Sequence, residues 1–457
     1  MGSDFWTTIG EIAEIFDGPH ATPKKIDDGP FFLSISSLRE GKLDLSQSAH
    51  LSEDEFVKWT RRVTPEAGDV LFSYETRLGE AALMPPNVKA CLGRRMGLLR
   101  PKKDKVSSRY LLYAYLSPAF QSEIKLRTIN GCTVDRIPLK ELPSFPIRIP
   151  LLPEQKAIAH VLGSLDDRIE LNRRINETLE SMAQALFKSW FVDFDPVIDN
   201  ALTAGKEIPA KLSQKAQARA ALGDKRRPLP EEIRTLFPDE FTYSDELGWI
   251  PRGWSSRAIG ESFQLLGGHP FKSVEYVDDG HFGVVTIKNV QNGNFVQECA
   301  NRVTELPVKM KDHCRLAVGD VLLSLTGNVG RVCMVSEGHY LLNQRVSKIV
   351  GVDAIPRSFA YFFFRHNALY EMMLIIAKGT AQQNLSPIET SKLKQMLPSN
   401  EIMVELSGSF DSIFRKIIAN TVQSQALTRL RDTLLPKLLS GEVRIPDAEK
   451  MVEELAL

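Results

Sequence analysis

The chain of 457 residues contains the same series of motifs twice. The motif Gly68-Asp69-Val70-Leu71 returns as Gly319-Asp320-Val321-Leu322, and Gly79 returns as Gly330, both 251 positions later. A shared order at a nearly constant offset indicates a duplicated unit that folds the same way twice. The alternative is two unrelated domains whose common turn residues match by chance. Further matching segments are 6–10 with 254–260, 27–29 with 278–280, and 35–41 with 287–293.

Each copy has the apolar pattern of a mixed α/β domain. Residues 70–72 and 321–323 are short apolar runs after a Gly-Asp turn, which is typical of buried strands. Residues 110–116 and 359–364 are longer apolar stretches that fit a buried helix. The sequence therefore predicts an α+β fold with two similar domains, each large enough to bury its own core. The predicted domains cover residues 1–150 and 251–398.

A long helix is predicted after each domain, at residues 151–195 and 399–440. Pro153 fits the first turn of the earlier helix, where its missing N–H costs no hydrogen bond. Apolar residues and two asparagines recur at alternating spacings of three and four, the pattern of a coiled-coil seam. The residues predicted to pair are Leu162, Leu165, Ile169, Asn172, Leu179 and Leu186 in the first helix and Phe410, Ile413, Ile417, Asn420, Leu427 and Leu434 in the second.

The two helices most simply bury their stripes on each other as an antiparallel coiled coil, because a long apolar stripe is not stable on a solitary helix. This pairing predicts a two-stranded rod with one domain at each end. The alternative is that each helix packs back onto its own domain. Asn172 and Asn420 both lie on the seam and are expected to fix its register. The step from Asn172 to Ile175, after which the stripe continues through Leu179, Met182 and Leu186, predicts a stammer that shortens one heptad.

The remaining segments are polar. Residues 196–250, punctuated by Pro230 and Pro238, are interpreted as an extended connector with a short helix or two, and residues 441–457 as a short tail. The longest apolar runs are far shorter than the ~18 residues that a membrane span needs. No basic stretch followed by an apolar segment, as in a signal peptide, opens the sequence. We therefore expect a cytoplasmic protein without membrane contact.

Sequence motifs of catalytic sites are missing. The sequence contains no phosphate-binding G-x-x-x-x-G-K-[ST] loop, no H-E-x-x-H zinc motif and no G-x-S-x-G nucleophile motif. The proline pair in Met84-Pro85-Pro86-Asn87 lacks the acid or amide that precedes it in amino-methyltransferases, and residues 446–450 lack the spacing of a P-D…E-x-K nuclease. The eight histidines show no metal-ligand spacing. These patterns favour a binding protein with no catalytic residue, metal site or cofactor of its own.

Charge and polar loop residues make nucleic acid the expected ligand. The chain has 57 Lys and Arg against 57 Asp and Glu, which excludes a strongly basic, histone-like protein but leaves room for local basic patches. Arg and Lys neutralise phosphates or pair with guanine, and Asn and Gln pair with adenine. The predicted DNA contacts are Lys24, Lys25, Ser36, Arg39, Thr76, Arg77, Arg94, Arg95 and Arg136 in the first copy and Lys272, Lys288, Asn289, Thr326, Asn328, Arg331, Gln344, Arg345, Gln382, Gln383 and Asn384 in the second.

The two copies differ most in these polar loops. Asn343-Gln344-Arg345 stands where the first copy has Gly93-Arg94-Arg95, and Gln383-Asn384 replaces Asp135-Arg136. A retained framework with changed loop tips is expected where one scaffold recognises two different targets. The alternative is sequence drift on a solvated surface without function.

Several segments resemble a known protein family. Residues 152–156 (LPEQK), 165–172 (LDDRIELN) and 186–196 (LFKSWFVDFDP) look like the central helical region of the DNA specificity subunit of type I restriction–modification enzymes. Residues 430–441 (LRDTLLPKLLSG) are similar to its distal helical region. Residues 319–322 and 379–385 resemble turns of its target-recognition domains, while the first copy departs from that pattern at residues 131–136.

The resemblance implies a non-catalytic subunit. Its two target-recognition domains would each read half of a bipartite, asymmetric site in double-stranded DNA. Its paired helices would act as a spacer and as the dock for two modification subunits, which use S-adenosylmethionine to methylate adenine by base flipping. Motor-nuclease restriction subunits would add ATP- and Mg²⁺-dependent translocation and cleavage. The competing hypothesis is a coiled-coil assembly scaffold that does not recognise DNA sequence.

Overall fold

The computed structural model describes residues 6–19, 21–39, 41–131, 134–225, 228–377, 379 and 383–456. The chain divides into two compact units. Unit 1 consists of Met1–Glu170 and Gln425–Leu457, and unit 2 of Leu171–Ser424. Both long helices cross this division, so each unit contains one globular part and a segment of each helix.

Unit 1 contains short strands in two main sheets. Its strands are β1 (Trp6–Thr8), β2 (Ala13–Asp17), β3 (Ile26–Leu33), β4 (Leu38–Arg39), β5 (Lys42–Leu43), β6 (Ala49–His50), β7 (Val70–Ser73), β8 (Ala81–Leu83), β9 (Ala90–Leu92), β10 (Met96–Pro101) and β11 (Pro146–Arg148). Its helices are α1 (Ile9–Ile12), α2 (Glu53–Trp59), α3 (Ser108–Leu116), α4 (Pro118–Arg127) and the first part of α5 (Leu152–Phe191). An antiparallel sheet has the order β2-β10-β7-β8, and a second sheet, β6-β3-β9, pairs β3 with β9 in parallel.

Unit 2 continues with helices and a second set of strands. Its strands are β12 (Phe241–Ser244), β13 (Gly248–Pro251), β14 (Ser255–Ala258), β15 (Phe263–Gly267), β16 (Phe282–Val285), β17 (Val290–Gln291), β18 (Asn294–Phe295), β19 (Arg302–Val303), β20 (Arg315–Leu316), β21 (Val321–Ser324), β22 (Val332–Met334), β23 (Tyr340–Leu342), β24 (Val346–Gly351) and β25 (Lys394–Leu397). Its helices are α6 (Asp195–Ala204), α7 (Ser213–Ala221), α8 (Glu231–Arg234), α9 (Arg357–Phe364), α10 (Asn367–Ile376) and α11 (Pro387–Lys392), and the last two helices of the chain are α12 (Asn400–Ser440) and α13 (Ile445–Ala456).

The strand order confirms the predicted duplication. The sheet β15-β24-β21-β22 of unit 2 repeats β2-β10-β7-β8, and the parallel pair β16-β23 repeats β3-β9. The pairs β14-β25 and β17-β18 likewise repeat β1-β11 and β4-β5. Chance matches of turn residues would not reproduce this pairing, so the α+β fold with two similar mixed domains is shown.

The apolar run at the centre of each sheet is buried on both faces. Val70 and Phe72 of β7 point into the core that contains α3, whereas Leu71 points into the core between the two sheets. In unit 2, Leu322 of β21 likewise lies in a different core from Val321. Because successive strand residues face opposite sides, a strand covered on both faces has a continuous apolar sequence.

The repeated Gly-Asp motif forms a turn before each central strand. Gly68 and Gly319 have left-handed backbone conformations, with φ of 92° and 84°. The carboxylate of Asp69 accepts a hydrogen bond from the Glu66 N–H (2.8 Å), and it is paired with Arg100 (2.8 Å). The motif returns in both copies because the turn needs a residue that tolerates positive φ followed by an acid that closes it.

The long helices pair with each other inside each unit. In unit 1, Asp166 of α5 forms an ion pair with Arg431 of α12 (2.8 Å). In unit 2, Asn172 donates to Gln423 Oε1 (2.9 Å) and Asn176 to Thr421 Oγ1 (3.2 Å). The partner number falls as the α5 number rises, so the pairing is antiparallel, as predicted. Among the described residues, no helix is both long enough and apolar enough to cross a membrane.

The helices also contact their neighbouring globular parts, so the two predicted alternatives occur together. The core of unit 1 includes residues from α3 and from both long helices, and the main core of unit 2 includes α9 and both long helices. Each residue predicted to pair is either buried or packed against these cores, apart from the asparagines, which are buried within the polar contacts of the seam. These residues are Leu162, Leu165, Ile169, Leu179, Leu186, Phe410, Ile413, Ile417, Leu427 and Leu434, with Asn172 and Asn420.

The predicted stammer is wrong. Met182 is 57% exposed, whereas Ala183 and Trp190 are buried and the half-buried Asn176 is hydrogen-bonded to α12. The seam continues from Asn172 through Asn176 and Leu179 to Ala183, which keeps the regular spacing of four and three. An apolar pattern misses Asn176 because its side chain is polar and joins the seam through hydrogen bonds to the opposite helix.

We expect Asn420→Ala to lower the free energy of unfolding of unit 2 by about 1–3 kcal/mol. Asn420 is 3% exposed, and its Nδ2 donates to Asn176 Oδ1 (2.9 Å), which would lose this donor inside the seam. The double variant N176L/N420L removes both polar partners and is expected to be close to wild type or more stable. Denaturant unfolding measures both variants, and a single variant as stable as the double one would contradict the proposed role of the amide pair.

The segments interpreted as a polar connector and a polar tail are more ordered than expected. Residues 196–250 include most of α6, then α7, α8 and the hairpin β12-β13. Val197 and Phe237 are buried in the main core of unit 2, where Phe237 lies 5.4 Å from Trp190. In residues 441–457, α13 places Ala448 in the core of unit 1. A few apolar side chains at helical spacing dock these segments although their overall composition is polar.

Candidate nucleic-acid interface

Three loops meet beside the central strand of unit 1. The N–H of Tyr74 donates to the carbonyl oxygen of Arg95 (3.2 Å), and the N–H of Ile137 donates to that of Tyr74 (2.9 Å). The N–H of Thr76 donates to the carbonyl oxygen of Asp135 (3.4 Å). The segment that leaves β7 is therefore held between two other loops by backbone hydrogen bonds, which do not depend on side-chain identity.

The same three loops meet in unit 2 through the same bonds. The N–H of Leu325 donates to the carbonyl oxygen of Arg345 (3.0 Å), and the N–H of Leu385 donates to that of Leu325 (2.7 Å). The N–H of Gly327 donates to the carbonyl oxygen of Gln383 (2.9 Å). We call these places junction 1 and junction 2. They comprise residues 74–77, 93–95 and 135–137 in unit 1, and residues 325–328, 343–345 and 383–385 in unit 2.

A close backbone approach fixes each junction from a further side. A Cβ atom on Gly18 would lie 2.4 Å from the carbonyl oxygen of Gly93, and a Cβ atom on Gly268 would lie 2.4 Å from the carbonyl carbon of Asn343. Only glycine fits so close to another backbone segment. The framework of each junction is thus set by glycines and backbone bonds, and its exposed side chains are free to differ.

Junction 1 presents arginines and acids. Arg94, Asp135 and Arg136 are exposed. Arg95 is half-buried, with its Nε 2.9 Å from Glu75 and its Nη1 donating to Thr76 Oγ1 (3.2 Å). The exposed groups are therefore cations and one carboxylate, which suit phosphates, guanine and cytosine edges.

Thr76 is held in a strained backbone conformation. Its φ is 69°, while Gly327 has a φ of 70° at the matching place in unit 2. A residue with a side chain is destabilised by roughly 1–2 kcal/mol in the left-handed region, whereas glycine is not. The Thr76 hydroxyl accepts a hydrogen bond from Arg95, so the strained residue orients an arginine at the centre of the junction. Such strain is concentrated at functional sites.

Junction 2 presents three carboxamides and one arginine. Gln344, Arg345, Gln383 and Asn384 are exposed, and the Thr326 hydroxyl donates to Asn384 Oδ1 (3.0 Å). The 8%-exposed Asn343 shapes the turn below them, because its Oδ1 accepts from the Arg345 N–H (3.1 Å). Each exposed amide carries a donor and an acceptor on one group, the combination that pairs with adenine.

The other predicted contacts lie outside the two junctions or at their edges. Arg77 is half-buried and donates to the carbonyl oxygen of Ile35 (3.2 Å), and Arg331 is half-buried beside Gln291, to which it donates. Asn328 is half-buried at the edge of junction 2. Gln382 lies outside the described residues. The predicted residues that are exposed elsewhere are Lys24, Lys25, Ser36, Arg39, Lys272 and Lys288.

The prediction that Asn289 contacts DNA is wrong. Its side chain is 2% exposed, and Oδ1 accepts from the N–H (2.9 Å) and the hydroxyl (3.0 Å) of Thr286. Its Nδ2 donates to the carbonyl oxygens of Val296 (2.9 Å) and Glu298 (3.0 Å). The amide is fully used in closing a turn, so none of it remains for a base.

Sequence reasoning missed three residues of the junctions and their borders. Glu75 and Asp135 are acidic, whereas the residue types expected to contact DNA are basic, amide and hydroxyl residues, although both adjoin predicted contacts. His269 is half-buried, and its carbonyl oxygen accepts from the Gln344 N–H (3.1 Å). The preceding glycine pair, Gly267 and Gly268, was the available signal for a close backbone approach at this place.

One family of known proteins matches both copies of the repeat. The family described as "Type I restriction modification DNA specificity domain" matches residues 6–181 and 251–429, so each match contains one globular part and most of the following helix. The chain is 31% identical over 372 residues to the Type I restriction enzyme HindI specificity subunit of Haemophilus influenzae, covering 76% of this chain and 80% of that protein.

Two more similarities extend over most of the chain. The Type I restriction enzyme MjaIX specificity subunit of Methanocaldococcus jannaschii is 24% identical over 402 residues, covering 87% of this chain and 82% of that protein. The crystal structure of the S subunit of a type I restriction–modification system from M. genitalium has the same fold, with a TM-score of 0.52 and 16% identity. That similarity covers 95% of this chain and 96% of the crystallised chain.

Proposed function

This chain belongs to the type I restriction–modification DNA specificity family, and on that premise we propose that it recognises DNA sequence for a complex whose catalytic steps occur in other subunits. The observation that carries the proposal is the pair of matched junctions. One framework of backbone hydrogen bonds occurs twice and presents different exposed side chains. Two readers with different side chains recognise two different sequences, so the DNA site is bipartite and asymmetric.

The partners follow from the same proposal. Two modification methyltransferase subunits bind this chain, one for each copy of the repeat, and they hold the S-adenosylmethionine for adenine methylation. Exposed charged residues of α5, among them Arg168, Arg174 and Glu177, support a protein dock on this helix. Motor-nuclease restriction subunits, which use ATP and Mg²⁺, join this assembly. The chain itself contributes binding and positioning, so the purified chain is expected to neither methylate nor cleave DNA.

The helices are proposed to set the number of base pairs between the two half-sites. Each long helix begins in one unit and ends in the other. Four residues inserted into both helices at matched points lengthen each by roughly 6 Å. Since base pairs are stacked at ~3.4 Å, the gap, meaning the base pairs between the two half-sites, is expected to grow by about one or two base pairs. Mapping methylated adenines across the genome of cells that carry the variant and its modification subunit measures this gap.

A matched control separates helix length from a general effect of insertion. The same four residues placed after the exposed Gly223, outside both long helices, are expected to leave the gap unchanged. A gap that does not change when both helices are lengthened would contradict their role as a spacer, while sequence recognition itself would stand.

The competing function is an assembly scaffold that does not distinguish DNA sequences. Titration of the complex with modification subunits against random and genomic DNA separates the two functions. A scaffold binds both pools equally, whereas a specificity subunit enriches a defined sequence by about 10³-fold or more over non-specific DNA. Equal binding would therefore overturn the proposed function.

A further inference from the structure

Three exposed positions of the two junctions match residue by residue. Arg94 corresponds to Gln344 because both directly precede the arginine whose carbonyl oxygen accepts from the central strand segment. Asp135 corresponds to Gln383, since the carbonyl oxygen of each accepts from the residue that carries positive φ in the central loop. Arg136 directly follows Asp135, and Asn384 directly follows Gln383. These two residues form equivalent β-bridges, Arg136 with Glu75 and Asn384 with Thr326.

These three pairs change in the same chemical direction, while the arginine that follows the first pair is retained as Arg95 and Arg345. The three positions carry charged groups in unit 1 and carboxamides in unit 2. Their backbone roles are unchanged, so the difference lies in the side chains. Two of these side chains also accept a bond inside their junction, Asp135 Oδ1 from the Gly131 N–H (3.3 Å) and Asn384 Oδ1 from the Thr326 hydroxyl (3.0 Å). The exposed pairs are Arg94 and Gln344, Asp135 and Gln383, and Arg136 and Asn384.

The two groups of side chains fit different base pairs. A guanidinium has donors only and matches the two acceptors of guanine in the major groove, and a carboxylate accepts from the cytosine amino group. A carboxamide has one donor and one acceptor on the same plane, which matches the acceptor and donor of adenine. Neither an arginine nor an aspartate can form that paired donor–acceptor contact alone.

The interactions inside each junction strengthen this division. In junction 1, Glu75 and Thr76 both hold Arg95, so one guanidinium is fixed from behind while Arg94 and Arg136 remain exposed beside it. In junction 2, Thr326 takes the place of Glu75 and orients the amide of Asn384 instead. The supporting residue, Glu75 or Thr326, thus changes together with the exposed residue that it pairs with, Arg136 or Asn384.

We propose that unit 1 recognises its half-site through G·C base pairs and unit 2 recognises its half-site through A·T base pairs contacted by the amides of junction 2. This inference rests on the proposed function, because it assumes that both junctions face base edges. It adds which class of base pair each unit selects, and it names Arg136 and Asn384 as matched specificity-determining residues.

Exchange of the junction residues tests the assignment. The full chain with its modification subunits is incubated with a randomised DNA library, and the bound sequences are counted. Wild type is expected to select G·C pairs, beside the A·T pair that is methylated, in one half-site and A·T pairs in the other. The variant D135Q/R136N is expected to lower the preference for G·C at one or two positions of the first half-site by about 10- to 100-fold, with the second half-site unchanged.

The reciprocal variant is the matched control. Q383D/N384R is expected to lower only the preference for A·T in the second half-site. All four side chains are exposed and their backbone hydrogen bonds remain, so the exchanges place residues where the other unit already holds them. A loss of preference in the wrong half-site, or in both, would overturn the assignment.

Salt dependence distinguishes base contacts from phosphate contacts. If Arg136 binds a phosphate, D135Q/R136N weakens binding to all sequences alike and lowers the salt dependence of the binding constant, which would overturn the inference. A half-site of unit 1 that contains A·T pairs only would also overturn it. Both results leave the proposed function intact, which fails separately if wild type enriches no sequence.

Discussion

Arg365→Leu is expected to lower the free energy of unfolding of unit 2 by about 3–5 kcal/mol, the cost of leaving one member of a buried ion pair alone. The Arg365 side chain is 12% exposed, and its Nε lies 2.8 Å from Glu180 of α5, whose side chain is 19% exposed. Its Nη1 also donates to Asn292 Oδ1 (3.0 Å) and to the carbonyl oxygen of Val332 (3.3 Å). Removal of the guanidinium leaves the Glu180 carboxylate without its cation and takes one donor from each of the two further acceptors.

Unit 1 supplies the control for this prediction. A Cβ atom on Gly293 would lie 2.6 Å from Arg365 Nη1, and one on Gly41 would lie 3.1 Å from Leu116 Cδ1, so leucine occupies the matching position in unit 1. Asn172 and Asn420 of the seam are 248 positions apart, and the residue 248 positions after Glu180 is Thr428. The double variant R365L/E180T therefore copies unit 1, and we expect it to recover most of the loss because no charge is left buried.

Hydrogen exchange of the α9 amides and denaturant unfolding measure both variants. A double variant as unstable as R365L would show that the lost stability came from packing of the arginine stem rather than from the unpaired carboxylate. DNA selectivity of unit 1 is expected to be unchanged in both, since the pair lies within unit 2.

Phe410→Ala is expected to lower the stability of unit 2 by about 3–5 kcal/mol, as large-to-small changes of a buried aromatic residue do. Phe410 of α12 is 0% exposed. Its ring centroid lies 5.8 Å from Trp190 of α5 and 5.6 Å from Phe362 of α9. The substitution therefore opens a cavity where both long helices meet the globular part, and the expected consequence is loss of sequence recognition by unit 2 at physiological temperature.

Two further variants on the same helix serve as controls for this loss of stability. Phe410→Leu introduces the residue that unit 1 carries at the matching Leu162, and it is expected to cost less because it leaves a smaller cavity. Arg415→Ala, at a side chain that is 79% exposed, is expected to change the stability by less than about 0.5 kcal/mol. Thermal unfolding of the three variants gives the comparison. Similar losses of stability for Phe410→Ala and Arg415→Ala would show that the contact between the two long helices and the globular part is not the core of unit 2.

The amino-acid sequence was sufficient for those features that depend on local pattern. The repeat appears in the order of Gly-Asp turns because each copy needs the same positive-φ residue and closing acid, at Gly68 and Gly319. The central strands appear as continuous apolar runs because both faces are covered. Gln383-Asn384 and Asp135-Arg136 are 248 positions apart, so their correspondence follows from the order of the repeated motifs, and the backbone bonds of the junctions confirm it.

Only the tertiary structure decided which polar side chains are used internally and which remain for a ligand. Asn289 and Asn384 look alike in the sequence, yet one closes a buried turn and the other is exposed at a junction. Asn176 belongs to the seam because its hydrogen-bond partners lie on the opposite helix. The physical reason is the same in each case: the burial of a polar group depends on partners distant in the chain, which no local spacing of residues encodes.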